Sequence, residues 1–234
     1  MARIILIAGG SSSGKSYVTT SVIKHLNDPD IMRITLDDYY NDHSHLTMEE
    51  RNKLNYDHPK AFDWKLMRQQ VKALKEGREI DKPMYDFRIH NRKKETEHIV
   101  PRKVVLLEGI MALVDEEIRS YGDIKIFINA SKERRFLRRL IRDRQERGRD
   151  FESIVHQYFA TVAPMYGEII APSKQYADLI INNDGVENCA LDIVAGVLKQ
   201  QLEYFDHPQA KLVAEPESFD EQILKAAFEG LKGN

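Results

Sequence analysis

Eight small or basic residues near the N-terminus could bind phosphate groups. The stretch from Gly9 to Ser16 fits the P-loop pattern, in which a glycine, four residues and then Gly-Lys-Ser follow one another. Glycines allow successive backbone N–H groups to curl around phosphate oxygens. Lys15 can reach the β- and γ-phosphates, and the Ser16 hydroxyl can complete a Mg²⁺ shell. The stretch therefore predicts a nucleoside triphosphate site, with binding residues Gly9, Gly10, Ser11, Ser12, Ser13, Gly14, Lys15 and Ser16.

Carboxylates stand at the ends of two predicted strands. Asp37 follows the run 31–36, and a carboxylate with an ordinary pKa is ionised at pH 7, so it could accept a hydroxyl proton. Asp38 is the rival base, but neighbours on an extended segment face opposite ways, so only one should enter the site. Glu108 closes the apolar run 104–108 and could hold Mg²⁺ or its waters. The alternatives for these carboxylates are capping of a loop and simple exposure to solvent.

An arginine-rich segment provides a third group of candidates. Residues 132–149 carry nine Lys and Arg side chains against three acidic ones, a net +6 in a chain of net charge −2. Guanidinium groups are planar, permanently charged and bidentate, so a helix here could close over a triphosphate as a lid. A helix whose charges are simply solvated is the alternative. Helical spacing places four of the arginines on one face: Arg135, Arg138, Arg139 and Arg142.

Strand and helix patterns must position these residues. The phosphate-binding stretch lies between an apolar β-type run, 4–8, and a helical pattern, 17–26. Continuously apolar runs are typical of buried parallel strands, and in such sheets ligands bind beyond the carboxyl ends of the strands. Loose alternation over residues 79–100 predicts an antiparallel hairpin inserted into the α/β domain. Further strands are predicted at 31–36, 104–108, 124–129 and 178–181, and further helices at 47–54, 61–77, 131–147, 150–166 and 186–205.

The C-terminal segment differs from the rest of the chain. Residues from 206 to 217 are linker-like, and a capping box at Ser218 and Glu221 then precedes an apolar helical stripe. A lone helix of this length is marginal in water, so we expect it to dock on its own domain or on a neighbouring subunit. The predicted organisation is one domain over 1–205, with a hairpin at about 79–100 and a lid at about 131–149, followed by a linker and amphipathic helix over 206–234.

Composition and charge limit the classes of protein. With 234 residues, 42% hydrophobic and 31% charged, the chain is typical of a globular protein. No apolar run approaches the roughly 18 residues of a membrane span, and the N-terminus has no secretory pattern. A single cysteine excludes an intrachain disulfide. We therefore expect a cytoplasmic protein without a membrane partner. Residues 132–149 form a compact positive segment, whereas the rest of the chain is acidic. This charge distribution suits a small phosphate ligand better than a nucleic acid.

Proteins with a P-loop include enzymes, motors and regulatory switches, so the motif alone does not decide among these classes. A regulatory GTPase should carry an Asn-Lys-x-Asp motif late in the chain, whereas the nearest string, residues 52–55, is early and lacks the Asp. The small size of the chain and its negative charge outside residues 132–149 disfavour a helicase or motor. A small kinase remains, and a kinase acting on an alcohol needs a base, a metal and cations over the transferring phosphoryl group. The predicted fold class is α/β, a parallel-sheet P-loop kinase core with an inserted β-hairpin and an Arg-rich lid helix.

Several further motifs accompany the P-loop. They are Asp37-Asp38-Tyr39-Tyr40, Tyr56-Asp57-His58-Pro59 with Ala61-Phe62-Asp63, Pro83-Met84-Tyr85-Asp86-Phe87 with His90 and Arg92, Leu107-Glu108-Gly109-Ile110, 138–143 with 146–150, and Lys174-Gln175-Tyr176-Ala177-Asp178. Taken together, the motifs closely resemble those of the uridine kinase (uridine–cytidine kinase) family over about residues 3–205. The resemblance implies transfer of the γ-phosphoryl group of ATP or GTP to the 5′-hydroxyl of uridine or cytidine, with Mg²⁺, giving UMP or CMP in pyrimidine salvage. It also implies a homo-oligomer, since the family tends to form tetramers.

The same resemblance implies roles for individual residues. Asp37 matches the family's catalytic base, and Ser16 and Glu108 match its metal-binding pair. A carboxylate that accepts two adjacent hydroxyls would favour ribose over deoxyribose, because an unpaired buried acceptor is costly. The matching catalytic cations are Lys15, Arg142 and Arg147; the residues matching ribose contacts are Asp57, Arg139 and Gln157; those around the pyrimidine are Tyr85, His90 and Arg149. Tyr40 is a further predicted substrate-binding residue.

Two features depart from the family pattern, and two other functions remain open. Family members usually carry Ser after the base, whereas a second carboxylate at Asp38 is expected to raise the pKa of Asp37 or to bind further metal. The predicted helix after Pro216 lies beyond the matched region. One alternative function is a related kinase for another alcohol, such as phosphoribulose or pantothenate. The other is a non-catalytic nucleotide sensor that binds partners through its C-terminal helix.

Overall fold

A five-stranded, all-parallel sheet forms the centre of the molecule. The structure is a computed structural model that describes residues 1–185 and 189–206; the predicted helix after Pro216 lies outside them. The strand order is β2-β5-β1-β6-β7, and a separate two-stranded sheet pairs β3 with β4 in antiparallel fashion. The strands are β1 (Arg3–Ala8), β2 (Ile31–Thr35), β3 (Ile80–Asp86), β4 (Asn91–Ile99), β5 (Val104–Glu108), β6 (Ile124–Asn129) and β7 (Leu179–Asn182).

Helices cover both faces of the parallel sheet, because its central strands are apolar on both sides. Two buried clusters result, one around Leu6, Leu107 and Phe127 and the other around Ile5 and Leu106. The helices are α1 (Lys15–Leu26), α2 (Met48–Asn52), α3 (Trp64–Lys75), α4 (Glu116–Tyr121), α5 (Lys132–Gln145), α6 (Phe151–Gln157), α7 (Ala163–Met165) and α8 (Cys189–Asp206). The α/β class, the parallel sheet and the inserted hairpin are thus confirmed.

The chain divides into two compact units. Met1–Leu202 form the first unit and Glu203–Asn234 the second, of which only 203–206 are described. No helix among the described residues is both long enough and apolar enough to cross a membrane. The predicted domain boundary at residue 205 stays a prediction.

Two predicted elements take other forms. The segment after β2 is not extended, because Leu36–Tyr39 form one 3₁₀ turn, in which the Asp37 N–H donates to the Thr35 hydroxyl. The single helix predicted over 150–166 is instead α6, a π-helical turn at Tyr158–Val162, the short α7 and a second π turn at Tyr166–Ile170. Pro164 lies within α7, and a proline lacks the N–H that a continuous α-helix needs. Such π turns are frequent at functional sites.

Candidate active site

The phosphate-binding stretch folds as a tight loop between β1 and α1. Gly14 has φ 101° and caps α1, so the first N–H groups of the helix open towards the loop. Gly9 has φ 148°, and a Cβ atom there would lie 2.3 Å from the Ile128 carbonyl oxygen, so no larger residue fits. The buried Lys15 ammonium donates to the carbonyl oxygens of Gly9 and Gly10 at 2.8 and 3.0 Å. The loop thus has a backbone shape that suits an anion, and phosphate binding by its residues stays a prediction.

Asp37 and Glu108 lie beside this loop, where β2 and β5 end. These two strands are neighbours in register, with Thr35 opposite Glu108, so their carboxyl ends bring both acids to one place. Burial raises the pKa of Asp37, the charge of Lys15 opposes the shift and that of Glu108 adds to it, and the resulting pKa is about 6. Asp37 Oδ1 is buried and has no hydrogen-bond partner among residues 1–185 and 189–206. Asp37 therefore has an acceptor atom available for a ligand.

An aromatic pocket opens on the other side of Asp37. The ring of His90 stacks on Tyr56 with centroids 5.3 Å apart, and the rings of Tyr40 and Tyr85 lie 5.0 Å apart. Burial, together with Arg149 and Arg147, lowers the pKa of His90, so its imidazole is neutral at pH 7 and can donate and accept. All seven residues predicted to bind substrate line this pocket: Tyr40, Asp57, Tyr85, His90, Arg139, Arg149 and Gln157.

Asp37 belongs to both cavities. The phosphate cleft contains Lys15, Ser16 and Glu108, and it shares a wall with the aromatic pocket. The shared wall is formed by Ser11, Asp37, Ile110 and Arg142. A group held in the aromatic pocket can therefore meet a phosphate in the cleft at the Asp37 carboxylate.

Arginines of α5 and the turn after it enclose the pocket. Arg139 donates to Ser11 Oγ at 2.8 Å and to the amide oxygen of Gln157 at 2.9 Å, so it joins the phosphate loop to α6. Arg149 donates to the same amide oxygen at 2.6 Å. The guanidinium of Arg147 lies 4.6 Å above the ring of Phe87, which joins the lid segment to the hairpin. Most of the arginine cluster thus faces the site rather than solvent.

Comparisons with known proteins agree with this geometry. A sequence profile described as "Phosphoribulokinase / Uridine kinase family" matches residues 4–190. Uridine kinase of Clostridium tetani is 44% identical over 200 residues, which cover 86% of this chain and 96% of that protein. Uridine kinase of Bacillus subtilis is 42% identical over 86% of this chain and 95% of that protein. This chain belongs to the phosphoribulokinase/uridine kinase family.

The fold of the phosphoribulokinase/uridine kinase family is also visible in a distant solved structure. Phosphoribulokinase from Rhodobacter spheroides superposes with a TM-score of 0.60 over 81% of this chain and 74% of that one, at 14% sequence identity. At that identity the likeness concerns the fold alone.

A metal ion of the kind expected in this kinase family fits the residues at the phosphate loop. Ser16 Oγ donates to Glu108 Oε2 at 3.0 Å, and Glu108 is 1% exposed. Hydroxyl and carboxylate oxygens are hard ligands that suit Mg²⁺, which usually takes one or two carboxylates together with substrate phosphates and water. In the part of the chain that is described, no group of three or more His, Cys, Asp or Glu residues could hold a metal by itself.

Asp38 does not take either role expected for it. Its carboxylate forms an ion pair with Lys82 on β3 and accepts the N–H of Tyr85 at 3.2 Å. The 3₁₀ turn, rather than an extended segment, sends Asp37 and Asp38 in different directions. The raised pKa of Asp37 is explained by burial and Glu108, and Asp38 joins no metal cluster among the described residues.

One buried residue at the site was not assigned a role from the sequence. Asp143 is 0% exposed and receives two hydrogen bonds from Arg142 at 2.7 and 2.9 Å. Its oxygens lie 3.5 to 3.7 Å from the nearest nitrogens of Arg139, Arg147 and Arg149. Burial alone would raise the pKa of Asp143, but these arginines outweigh it and hold the pKa below the ordinary value. Asp143 therefore gathers the arginines around one buried negative charge.

Proposed function

We propose that this protein is a uridine–cytidine kinase that transfers the γ-phosphoryl group of ATP or GTP to the nucleoside 5′-hydroxyl. The observation that carries the proposal is the position of Asp37 in the wall between the phosphate cleft and the aromatic pocket. A triphosphate on the loop and a nucleoside in the pocket would meet at this carboxylate. The proposal is also supported by relatives named uridine kinase that are 41–45% identical to this chain.

Asp37 would act as the general base. With a pKa of about 6 it is largely ionised at pH 7, yet it is more basic than an ordinary aspartate and so a better proton acceptor. It would take the proton of the 5′-hydroxyl as the bond to phosphorus forms. Lys15, Arg142 and Arg147 would stabilise the charge on the transferring group and on the leaving diphosphate.

Ser16 and Glu108 would hold Mg²⁺, which would supply positive charge against the negative phosphate groups. Arg33 lies 3.2 Å from the second carboxylate oxygen of Glu108 and restrains its orientation. The chain's contribution is therefore an oriented carboxylate and hydroxyl beside the loop.

The aromatic pocket would select a nucleoside. Flat rings of Tyr40, Tyr56 and Tyr85 surround a space suited to a base, and neutral His90 can hydrogen-bond its edge. Asp57 is 6% exposed, and burial raises its pKa although Arg139 opposes the shift. A buried carboxylate of this kind would pair with the two ribose hydroxyls, and a deoxyribose would leave part of it unpaired.

A coupled ADP-release assay over a panel of acceptors tests the proposal. We expect turnover with uridine and cytidine and at least 100-fold lower kcat/KM with deoxyuridine, phosphoribulose or pantothenate. Preferred turnover of phosphoribulose or pantothenate would assign the protein to another alcohol acceptor. Tight ATP binding without turnover of any acceptor would instead indicate a nucleotide sensor. The cytoplasmic location and the homo-oligomeric, tetrameric state implied by the resemblance stay predictions.

A further inference from the structure

A nearly enclosed ion pair joins the turn that carries Asp37 to the inserted hairpin. The side chains of Lys82 and Asp38 are 6% and 16% exposed and form a short ion pair. The Lys82 ammonium also donates to the Pro83 carbonyl oxygen at 3.2 Å and lies 3.2 Å from Glu97 Oε2. A lysine at this depth is stable only with such partners, because an unpaired buried charge is costly.

The second oxygen of the Asp38 carboxylate binds the hairpin backbone. The pairing of β3 with β4 shifts register between Pro83 and Tyr85, and proline has no N–H to give to the ladder. The Tyr85 N–H donates to Asp38 Oδ1 at 3.2 Å instead. One carboxylate thus fixes both a side chain and the backbone of β3 at the irregularity in the hairpin.

The two ends of this link both belong to the proposed active site. Asp38 directly follows Asp37 in one 3₁₀ turn, while the hairpin carries Tyr85, Phe87 and His90 into the aromatic pocket. We propose that the Asp38–Lys82 pair is a positioning device, which holds the nucleoside-binding part of the hairpin at a set distance from the catalytic carboxylate. The inference rests on the proposed nucleoside kinase function. Neither Asp38 nor Lys82 lines the aromatic pocket, so both act through other residues.

Steady-state kinetics with four variants test this role. Asp38→Asn leaves Lys82 with only the more exposed Glu97 as a counter-charge, and Lys82→Met leaves the Asp38 carboxylate without its lysine. We therefore expect the KM for uridine to rise at least tenfold in each variant while the KM for ATP changes less than twofold. In the double variant neither member of the pair carries a charge. We expect its KM for uridine to be no higher than that of the poorer single variant. Asp81→Asn is the matched control, since Asp81 is an exposed carboxylate of the same hairpin that pairs with His98; its kinetics should equal those of the wild type.

Asp38→Glu keeps the charge but lengthens the link, and it provides the decisive variant if the neutral ones fail to fold. We expect a wild-type-like melting temperature with a uridine KM raised several-fold, because one added methylene displaces the hairpin. A uridine KM within twofold of the wild type in the folded variants would overturn the positioning role. An equal rise in the KM for ATP would overturn it as well, since it would indicate a general loss of structure. Failure of the wild type to phosphorylate any nucleoside would instead refute the proposed function.

Discussion

The raised pKa of Asp37 makes the pH dependence of the reaction a direct consequence of the structure. With a pKa of about 6, roughly 90% of the carboxyl groups are ionised at pH 7 and roughly 10% at pH 5. The base must be ionised to accept a proton, so the rate should fall about tenfold between pH 7 and pH 5. An ordinary aspartate, with its pKa near 3.9, would give almost no change over that range.

Replacing Asp37 by Asn should remove both the activity and this acidic limb. General-base catalysis contributes about 10²–10⁴-fold, and we expect a loss of that size in kcat/KM. The assay is ADP release with both substrates well below their KM values, because such rates report ionisation of the free enzyme. Asp81→Asn, which removes an exposed carboxylate, should retain the wild-type profile. A wild-type rate that is flat from pH 5 to 7, or a loss below tenfold in Asp37→Asn, would refute the reasoning.

The same pKa shift predicts an effect on stability with a definite sign. A shift from 3.8 to about 6 means that the folded state disfavours the ionised carboxyl by at most about 3 kcal/mol. The protonated Asp37 carboxyl therefore stabilises the folded state relative to the ionised one. This contribution to the free energy of unfolding is fully present below pH 3.8 and is lost as the pH rises through about 6. Asp37→Asn should therefore be more stable than the wild type at pH 7 and equally stable near pH 3.8, as measured by urea unfolding. A less stable variant at pH 7 would contradict the burial of this charge.

Three further substitutions test the pocket and the lid. Asp57→Ala should raise the KM for uridine and reduce the preference for uridine over deoxyuridine at least tenfold, since the ribose partner is lost; an unchanged preference ratio would argue against a ribose contact. Arg142→Ala should lower kcat by about two orders of magnitude while changing the Kd for ATP much less, because its contacts strengthen in the transition state; parallel losses would indicate ground-state binding. Asp143→Asn should cost about 3 kcal/mol in the free energy of unfolding and lower kcat, because it leaves the buried Arg139 and the half-buried Arg142 and Arg149 without their shared carboxylate; a variant of unchanged stability would show that the arginines do not need it.

Two parts of the site could be predicted from residue type and spacing. The phosphate loop is one contiguous motif. Asp37 follows β2 and Glu108 ends β5, so parallel-sheet geometry brings the two carboxylates together although they lie far apart in sequence. The aromatic pocket could not be derived in this way. Its members Asp57 and Gln157 are a hundred positions apart, and only the family resemblance connected them before the structure did.

Other features escaped prediction because short-range patterns do not encode them. In the sequence, Asp143 is simply one acidic residue in a basic helix. Its burial depends on Arg147 and Arg149, which follow α5 and pack back against the helix. Lys82 reads as an exposed residue of a polar strand, but it shares the buried face of β3 with Ile80 and pairs there with Asp38. The π turns after α6 differ too little from α-helical periodicity to be recognised over five residues.

A crystal structure with uridine and a non-hydrolysable ATP analogue tests the central claim most directly. We expect the 5′-hydroxyl oxygen within about 3 Å of an Asp37 carboxylate oxygen and in line with the γ-phosphorus held over Lys15. A nucleoside whose 5′-hydroxyl points away from both Asp37 and the terminal phosphate would contradict the assignment of the base and of the acceptor.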